Sequence, residues 1–306
     1  MKMTPANLAM GIFLFFHITV GILGNSSILF YYVFMILTRK CLMPKDLIIE
    51  HLTFANCLTI ISKGIPETLS DLGFKDFLDD IGCKLIMYTY RITRGMSLYA
   101  VCLLSCFQAI TISPSKSRWM MLKHRATKYI GPSCSVSWLV HLLLNILTPV
   151  RMFGPNYNKN VTNMVNYGYC SWLTYRNVAT ALYMFLLCFS DGLCLSLMAC
   201  SSFSMVSILY RHKRQVKHIH STQQLHKVSP EDRATQTILI LVCTFVISYS
   251  ISSVHVIFTS YSKSLELWGV SIFIFLEICF PIYFPFVLIR NFKSSCSLFL
   301  SFCNKR

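Results

Sequence analysis

Long apolar runs separated by short polar stretches organise this chain. They occupy roughly residues 8–37, 47–69, 83–112, 129–150, 178–210, 234–261 and 267–289. A helix of thirty residues covers about 45 Å at 1.5 Å per residue, enough to cross a hydrocarbon core of about 30 Å. The run from Cys83 to Pro114 is of that length and carries two arginines, Arg91 and Arg94, among apolar residues. The run at 47–69 is the least apolar, with Glu50, His51, Asn56 and Lys63. The first run is too long for a signal-peptide core, which spans about 7–15 residues, and reads as a retained membrane helix. The pattern predicts an all-α membrane protein over residues 1–306, a single domain built as a seven-transmembrane helix bundle.

The polar stretches set the orientation. Eighteen Lys and Arg fall in the stretches after the first, third and fifth runs and in the tail from Arg290, against seven on the other side. Basic loops stay inside, so the N-terminus lies outside and the C-terminus inside. The sequon Asn160-Val161-Thr162 and the cysteines Cys83 and Cys170 then face outward, where glycosylation and oxidation take place. Those two are the only cysteines placed outside, and a bridge between them would pin the long outer loop over the mouth of the bundle. A second sequon at Asn25 lies in the middle of the first run and is expected to stay unmodified. Ser229-Pro230-Glu231-Asp232 reads as a helix start, with a capping serine, a proline in the first position and two acids at the positive end of the dipole.

Composition supports the membrane reading. The chain is 54% hydrophobic and 13% charged, against about 25% charged residues in soluble domains. A net charge of +16 would suggest nucleic acid in a soluble protein. Here the basic residues sit between apolar runs, which implies contact with the lipid bilayer and not with nucleic acid. Most of the fourteen cysteines lie inside those runs, without CxxC or Cys/His spacing, so no metal or cofactor is expected.

No catalytic constellation is legible: HExxH, GxSxG and a phosphate-binding glycine loop are all missing from the sequence, and no enzyme activity is expected. Neither an internal repeat nor a pore-loop pattern is visible. A receptor is the remaining reading, with a small-solute transporter as the alternative from another class. Its pocket candidates are the charges within the runs, since such charges are costly in lipid. They are Lys63, Arg91, Arg94, Asp191 and Glu277, with Tyr88 beside the arginines. Arg91 and Arg94 are three apart and are expected on one helix face. Two roles stay open for each charge: structural pairing between helices, or direct ligand contact. Three cations against two anions lean toward an acidic or sulfate-like ligand.

Several blocks resemble a known family. They include Gly21-Ile22-Leu23-Gly24-Asn25-Ser26, Ser62-Lys63-Gly64-Ile65-Pro66, Phe77-Leu78-Asp79-Asp80-Ile81-Gly82-Cys83-Lys84 and Ala109-Ile110-Thr111-Ile112-Ser113-Pro114. Lys128-Tyr129-Ile130-Gly131-Pro132-Ser133-Cys134, Gly168-Tyr169-Cys170, His220-Ser221-Thr222 and Arg233-Ala234-Thr235-Gln236-Thr237-Ile238 continue the series, and Phe284-Pro285-Phe286-Val287-Leu288-Ile289 completes it. Together they resemble the vomeronasal type-1 pheromone receptors along nearly the whole chain. The resemblance implies a multi-pass plasma-membrane receptor that detects pheromones or related small semiochemicals. It also implies a heterotrimeric G protein of the inhibitory (Gi/Go) class as partner, a Cys83–Cys170 bridge and a glycan on Asn160. A bitter-taste-type receptor is the nearer alternative, although that family's motifs are not the ones present.

Some hallmarks of rhodopsin-like receptors are replaced. The third run ends in Phe107-Gln108-Ala109 instead of an acid-Arg-aromatic triplet, and the second has Asn56 where an Asp would bind sodium. Phe284-Pro285 lacks the usual Asn, and the sixth run lacks the Trp-x-Pro bend. The third helix is therefore expected to meet its inner partner without an ionic lock.

Overall fold

The computed structural model describes residues 5–38, 43–74, 77–113, 117–155, 164–166, 169–173, 178–219, 230–261 and 267–303. Asn160 and Ser229 lie outside the described residues.

The helices are α1 (Pro5–Leu37), α2 (Pro44–Thr59), α3 (Ile65–Asp71), α4 (Asp80–Ile112), α5 (Ser117–Leu144), α6 (Thr148–Arg151), α7 (Val178–Ile219), α8 (Pro230–Tyr261) and α9 (Leu267–Cys303). Among the described residues, six helical stretches are long and apolar enough to cross a membrane, within α1, α4, α5–α6, α7, α8 and α9. The run comprising α2 and α3 is not among them: it is divided into helices of 16 and 7 residues, and it carries Glu50, Lys63 and Glu67. It packs against α1, α4, α5 and α9, so those charges are held by protein. Large apolar side chains such as Phe16 (64% exposed), Phe30 (75%) and Phe203 (76%) form an outer surface suited to lipid.

Several helices outrun the apolar stretches. α5 begins at Ser117 rather than near residue 129, α7 continues to Ile219, and α9 runs through Pro281 and Pro285 to Cys303. Hydropathy marks where a helix is immersed in lipid. The basic extensions keep their helical hydrogen bonds in water, since Arg, Lys and Met are good helix formers. α4 starts at Asp80, ahead of Cys83, because Asp79 caps it: its carboxylate accepts the Gly82 N–H at 2.7 Å.

Prolines shape the two polar helices. Between α2 and α3 lies one π-helical turn, Ile60–Gly64, where the Ile65 N–H reaches back five residues to the Ile60 carbonyl. Pro66 follows with no N–H to give, so the widened turn sits where the regular ladder must break in any case. In α9, Pro285 cannot donate to the Pro281 carbonyl four residues earlier. Asn25 of α1, fully buried, supplies the missing donor: its Nδ2 reaches the Pro281 oxygen at 2.9 Å and the Gly21 oxygen at 2.8 Å. This sequon asparagine is therefore a core residue inaccessible to a glycosyltransferase.

The long outer loop holds a small antiparallel sheet that the sequence pattern did not predict. Its strands are β1 (Met152–Phe153), β2 (Met164–Asn166) and β3 (Ser171–Leu173), in the order β1-β3-β2 with Met152 and Val165 opposite Trp172. The sulfurs of Cys83 and Cys170 are bonded, with their Cα atoms 5.8 Å apart. Met87, Tyr90, Met152 and Tyr169 pack around them. A larger apolar core lies farther inward around Met96, Leu104, Phe245, Phe280 and Phe284.

Candidate functional site

The site is built on α4. Tyr90, Arg94 and Ser97 recur at helical spacing and line one cavity. Across from them, α8 contributes Phe245, Tyr249 and Ser252, and α9 contributes Glu277, Phe280 and Pro281. The cavity measures about 40 Å³, room for a few waters rather than for the roughly 300–1,000 Å³ of a typical ligand pocket.

One wall is anionic. Glu277 Oε1 accepts hydrogen bonds from the Tyr90 hydroxyl and from the Ser252 hydroxyl, the latter at 2.9 Å. Behind this wall the π turn places Lys63, 5% exposed, with its ammonium 5.4 Å from the centre of the Tyr90 ring. Lys63 also acts electrostatically on Glu277 and on Glu67, itself 6% exposed. Asp71, one turn on, accepts a hydrogen bond from Ser271 at 2.8 Å.

The other wall is cationic. The Arg94 guanidinium lies over the Tyr249 ring, 4.6 Å from its centre. Tyr249 in turn donates its hydroxyl hydrogen to Asp191 on α7. His141 of α5 lies within the field of the same carboxylate. Its ring packs so closely on Gly95 that a Cβ there would fall 2.1 Å from His141 Cδ2. Any side chain at this position would have to displace the His141 ring.

The structure thus divides the residues proposed from sequence. Arg94 and Glu277 face the cavity, while Lys63 and Asp191 stand behind its two walls. Tyr88 turns away and donates to the Leu142 carbonyl of α5 at 2.9 Å. Arg91 does not line the cavity that Arg94 lines. It lies against Trp172 of the outer sheet, 5.5 Å from the ring centre. Positions three apart differ by only about 60° around a helix, so the parting is made by the long side chains, one reaching Tyr249 and the other the outer sheet.

Glu67, Asp71 and Tyr249 are the contributors that sequence reasoning passed over. Glu67 sits four residues after Lys63, a spacing that pairs opposite charges on a helix and was the available signal. Its inward direction depends on the π turn, which no periodicity shows. With Glu67 and Asp71 included, four carboxylates (Glu67, Asp71, Asp191 and Glu277) stand in this part of the bundle with Lys63, Arg91 and Arg94. The positive excess expected from sequence is therefore not a property of the cavity walls.

The family pattern described as the vomeronasal organ pheromone receptor family matches residues 8–301. The chain belongs to this family. It is 43% identical over 290 residues to vomeronasal type-1 receptor 3 of Homo sapiens, covering 94% of this chain and 93% of that protein. Human vomeronasal type-1 receptor 2 is 41% identical over 291 residues, 95% of this chain and 73% of the relative. Olfactory receptor class A-like protein 1 of Danio rerio is 28% identical over 272 residues, 89% of this chain and 85% of that one. Among solved structures, squid rhodopsin superposes with a TM-score of 0.67 over 94% of this chain and 78% of its own, at 17% identity. That likeness concerns the fold alone. A vomeronasal-family sequence on a rhodopsin-like bundle makes this a chemosensory G-protein-coupled receptor of the plasma membrane, with multiple spans.

Proposed function

We propose that the receptor binds a small pheromone or related semiochemical between Arg94 and Glu277 and signals through an inhibitory-class (Gi/Go) G protein. The observation that carries the ligand assignment is a cavity lined by both an arginine and a glutamate, with Phe245, Phe280 and Pro281 as its apolar part. The G-protein class rests on the family resemblance. Lys63 and Asp191 hold the two walls, Tyr88 ties α4 to α5, and Arg91 lies outside the cavity against Trp172. The Cys83–Cys170 bridge keeps the outer loop over the mouth, and Asn160 carries a glycan on that loop.

The size of the cavity suggests how binding and signalling connect. A ligand larger than a few waters fits only if the walls part, so it favours a wider state over the one described. α8 supplies Phe245, Ser248, Tyr249 and Ser252 to the cavity. The same helix meets α4 farther inward, where Gln108 Nε2 donates to Thr235 Oγ1 at 3.3 Å. Widening the cavity by moving α8 would also act on that inner contact.

The test uses cells expressing the receptor with a Go-class α subunit, exposed to vomeronasal stimuli and read by cAMP. Arg94→Gln and Glu277→Gln are each expected to weaken potency about tenfold or more, equivalent to about 1.4 kcal/mol. Unchanged potency in both variants would sink the cavity assignment. A response that survives pertussis toxin would sink the Gi/Go assignment, and ligand-driven solute flux would favour a transporter.

A further inference from the structure

The mouth of the bundle carries charge that the cavity does not use. Arg151 closes α6 and is 7% exposed. Its guanidinium lies 6.0 Å from the centre of the Trp172 ring and 5.6 Å from that of Tyr183, and Nη2 donates to Thr180 Oγ1 at 2.9 Å. Arg91 reaches the same Trp172 ring at 5.5 Å. Two guanidinium groups therefore converge on one indole. Among the described residues neither is paired with a carboxylate.

The chain itself explains the imbalance. From Met152 to Ser190 it contains no Asp or Glu. The acids at the adjoining helix start are occupied by backbone: Asp79 holds the Gly82 N–H, and Asp80 accepts the Gly154 N–H at 2.6 Å. A buried cation without a counter-charge is costly, and a cation–π contact returns only about 0.5–2 kcal/mol. The guanidinium fork is also the side chain best matched to a planar or tetrahedral oxyanion.

We infer that Arg91 and Arg151, spaced by Trp172, form an anion site at the outer mouth, separate from the cavity between Arg94 and Glu277. It takes a carboxylate, sulfate or phosphate-type group, either free in the outer fluid or carried on an organic molecule. The positive excess that the sequence suggested for the pocket is thereby located one level above it. The inference does not depend on which ligand fills the cavity or on the G-protein class.

The test is thermal unfolding of the purified full-length receptor at constant ionic strength, so it needs no G protein. Sodium sulfate is titrated against sodium chloride, and naphthalene-2-sulfonate is the organic probe. Each tenfold rise above the dissociation constant is expected to raise the midpoint by roughly 2–4 °C. Arg91→Gln and Arg151→Gln are each expected to weaken the apparent affinity about tenfold or more, because each removes one fork. Lys84→Gln, which removes the same charge from the same end, is expected to leave it unchanged. If Arg151→Gln does not fold, Arg91→Gln alone decides. A response to both probes means that a free anion suffices, and a response to the sulfonate alone means that the anion arrives on an organic molecule. The inference is overturned if neither probe gives a saturable shift. It is also overturned if the shift survives in the arginine variants, or is lost equally in Lys84→Gln.

Discussion

The outer and inner ends of α4 are held in different ways. At the outer end the helix is bonded through Cys83 to Cys170, capped by Asp79 and fastened through Asp80 to the N–H of Gly154, the residue after β1. At the inner end, among the described residues, the side-chain contacts are single hydrogen bonds: Gln108 to Thr235 at 3.3 Å, Cys106 with Ser201 at 3.2 Å, and the Lys123 ammonium to the Thr111 carbonyl at 3.3 Å. A covalent loop closure is worth several kcal/mol, whereas one neutral hydrogen bond contributes about 0.5–1.5 kcal/mol. The difference suits a receptor that keeps its mouth fixed and lets its inner face change.

The strongest way to break this contrast is at the disulfide. Cys170→Ser should cost about 2–5 kcal/mol and remove most surface delivery, measured by surface labelling and thermal unfolding. Normal delivery and an unchanged midpoint would mean that the outer end does not depend on its covalent tie.

Two mid-bundle changes should come next. Gly95→Ala forces a Cβ into the His141 ring and should cost about 1–3 kcal/mol. The double variant Gly95→Ala with His141→Ala should cost less than the two single changes added together, and simple additivity would show that the two do not touch. Asn25→Ala leaves the Pro281 carbonyl without its donor from α1, and a loss of about 1–3 kcal/mol in a thermal or denaturant series is expected.

The smallest effect on stability, and the most informative about signalling, belongs to the inner end. Thr235→Val keeps the shape of the side chain and removes the acceptor for Gln108. It should shift the midpoint by less than any of the others. It should also raise ligand-independent nucleotide exchange on the G protein by up to about tenfold, the equivalent of about 1.4 kcal/mol. Unchanged basal exchange would mean that this contact does not hold the inner face closed.

The contrast between the two ends was only partly readable beforehand. Phe107-Gln108-Ala109 announced that an ionic lock was missing, because that reading needs residue types alone. It did not announce Thr235, a residue 127 positions away, as the partner. Arg91 and Arg94 were legible as costly charges in an apolar helix, and their separation, one at the outer sheet and one in the cavity, was not. Lys63 was legible too, but its junction with Glu67 and Glu277 passes through a π turn next to Pro66 and through the approach of α9.

The order of apolar runs, the sidedness of the basic loops and the cysteine pair follow from the sequence because each is local or is a count along the chain. Water and lipid sort segments by composition, one segment at a time. Which charges meet was decided by packing. Asn25 serves a proline carbonyl on another helix, Glu277 gathers Tyr90 and Ser252, and Arg91 and Arg151 share Trp172 with no acid between them. Each of these depends on the rotation of one helix against another, and a single residue added or withheld in a turn changes it by about 100°.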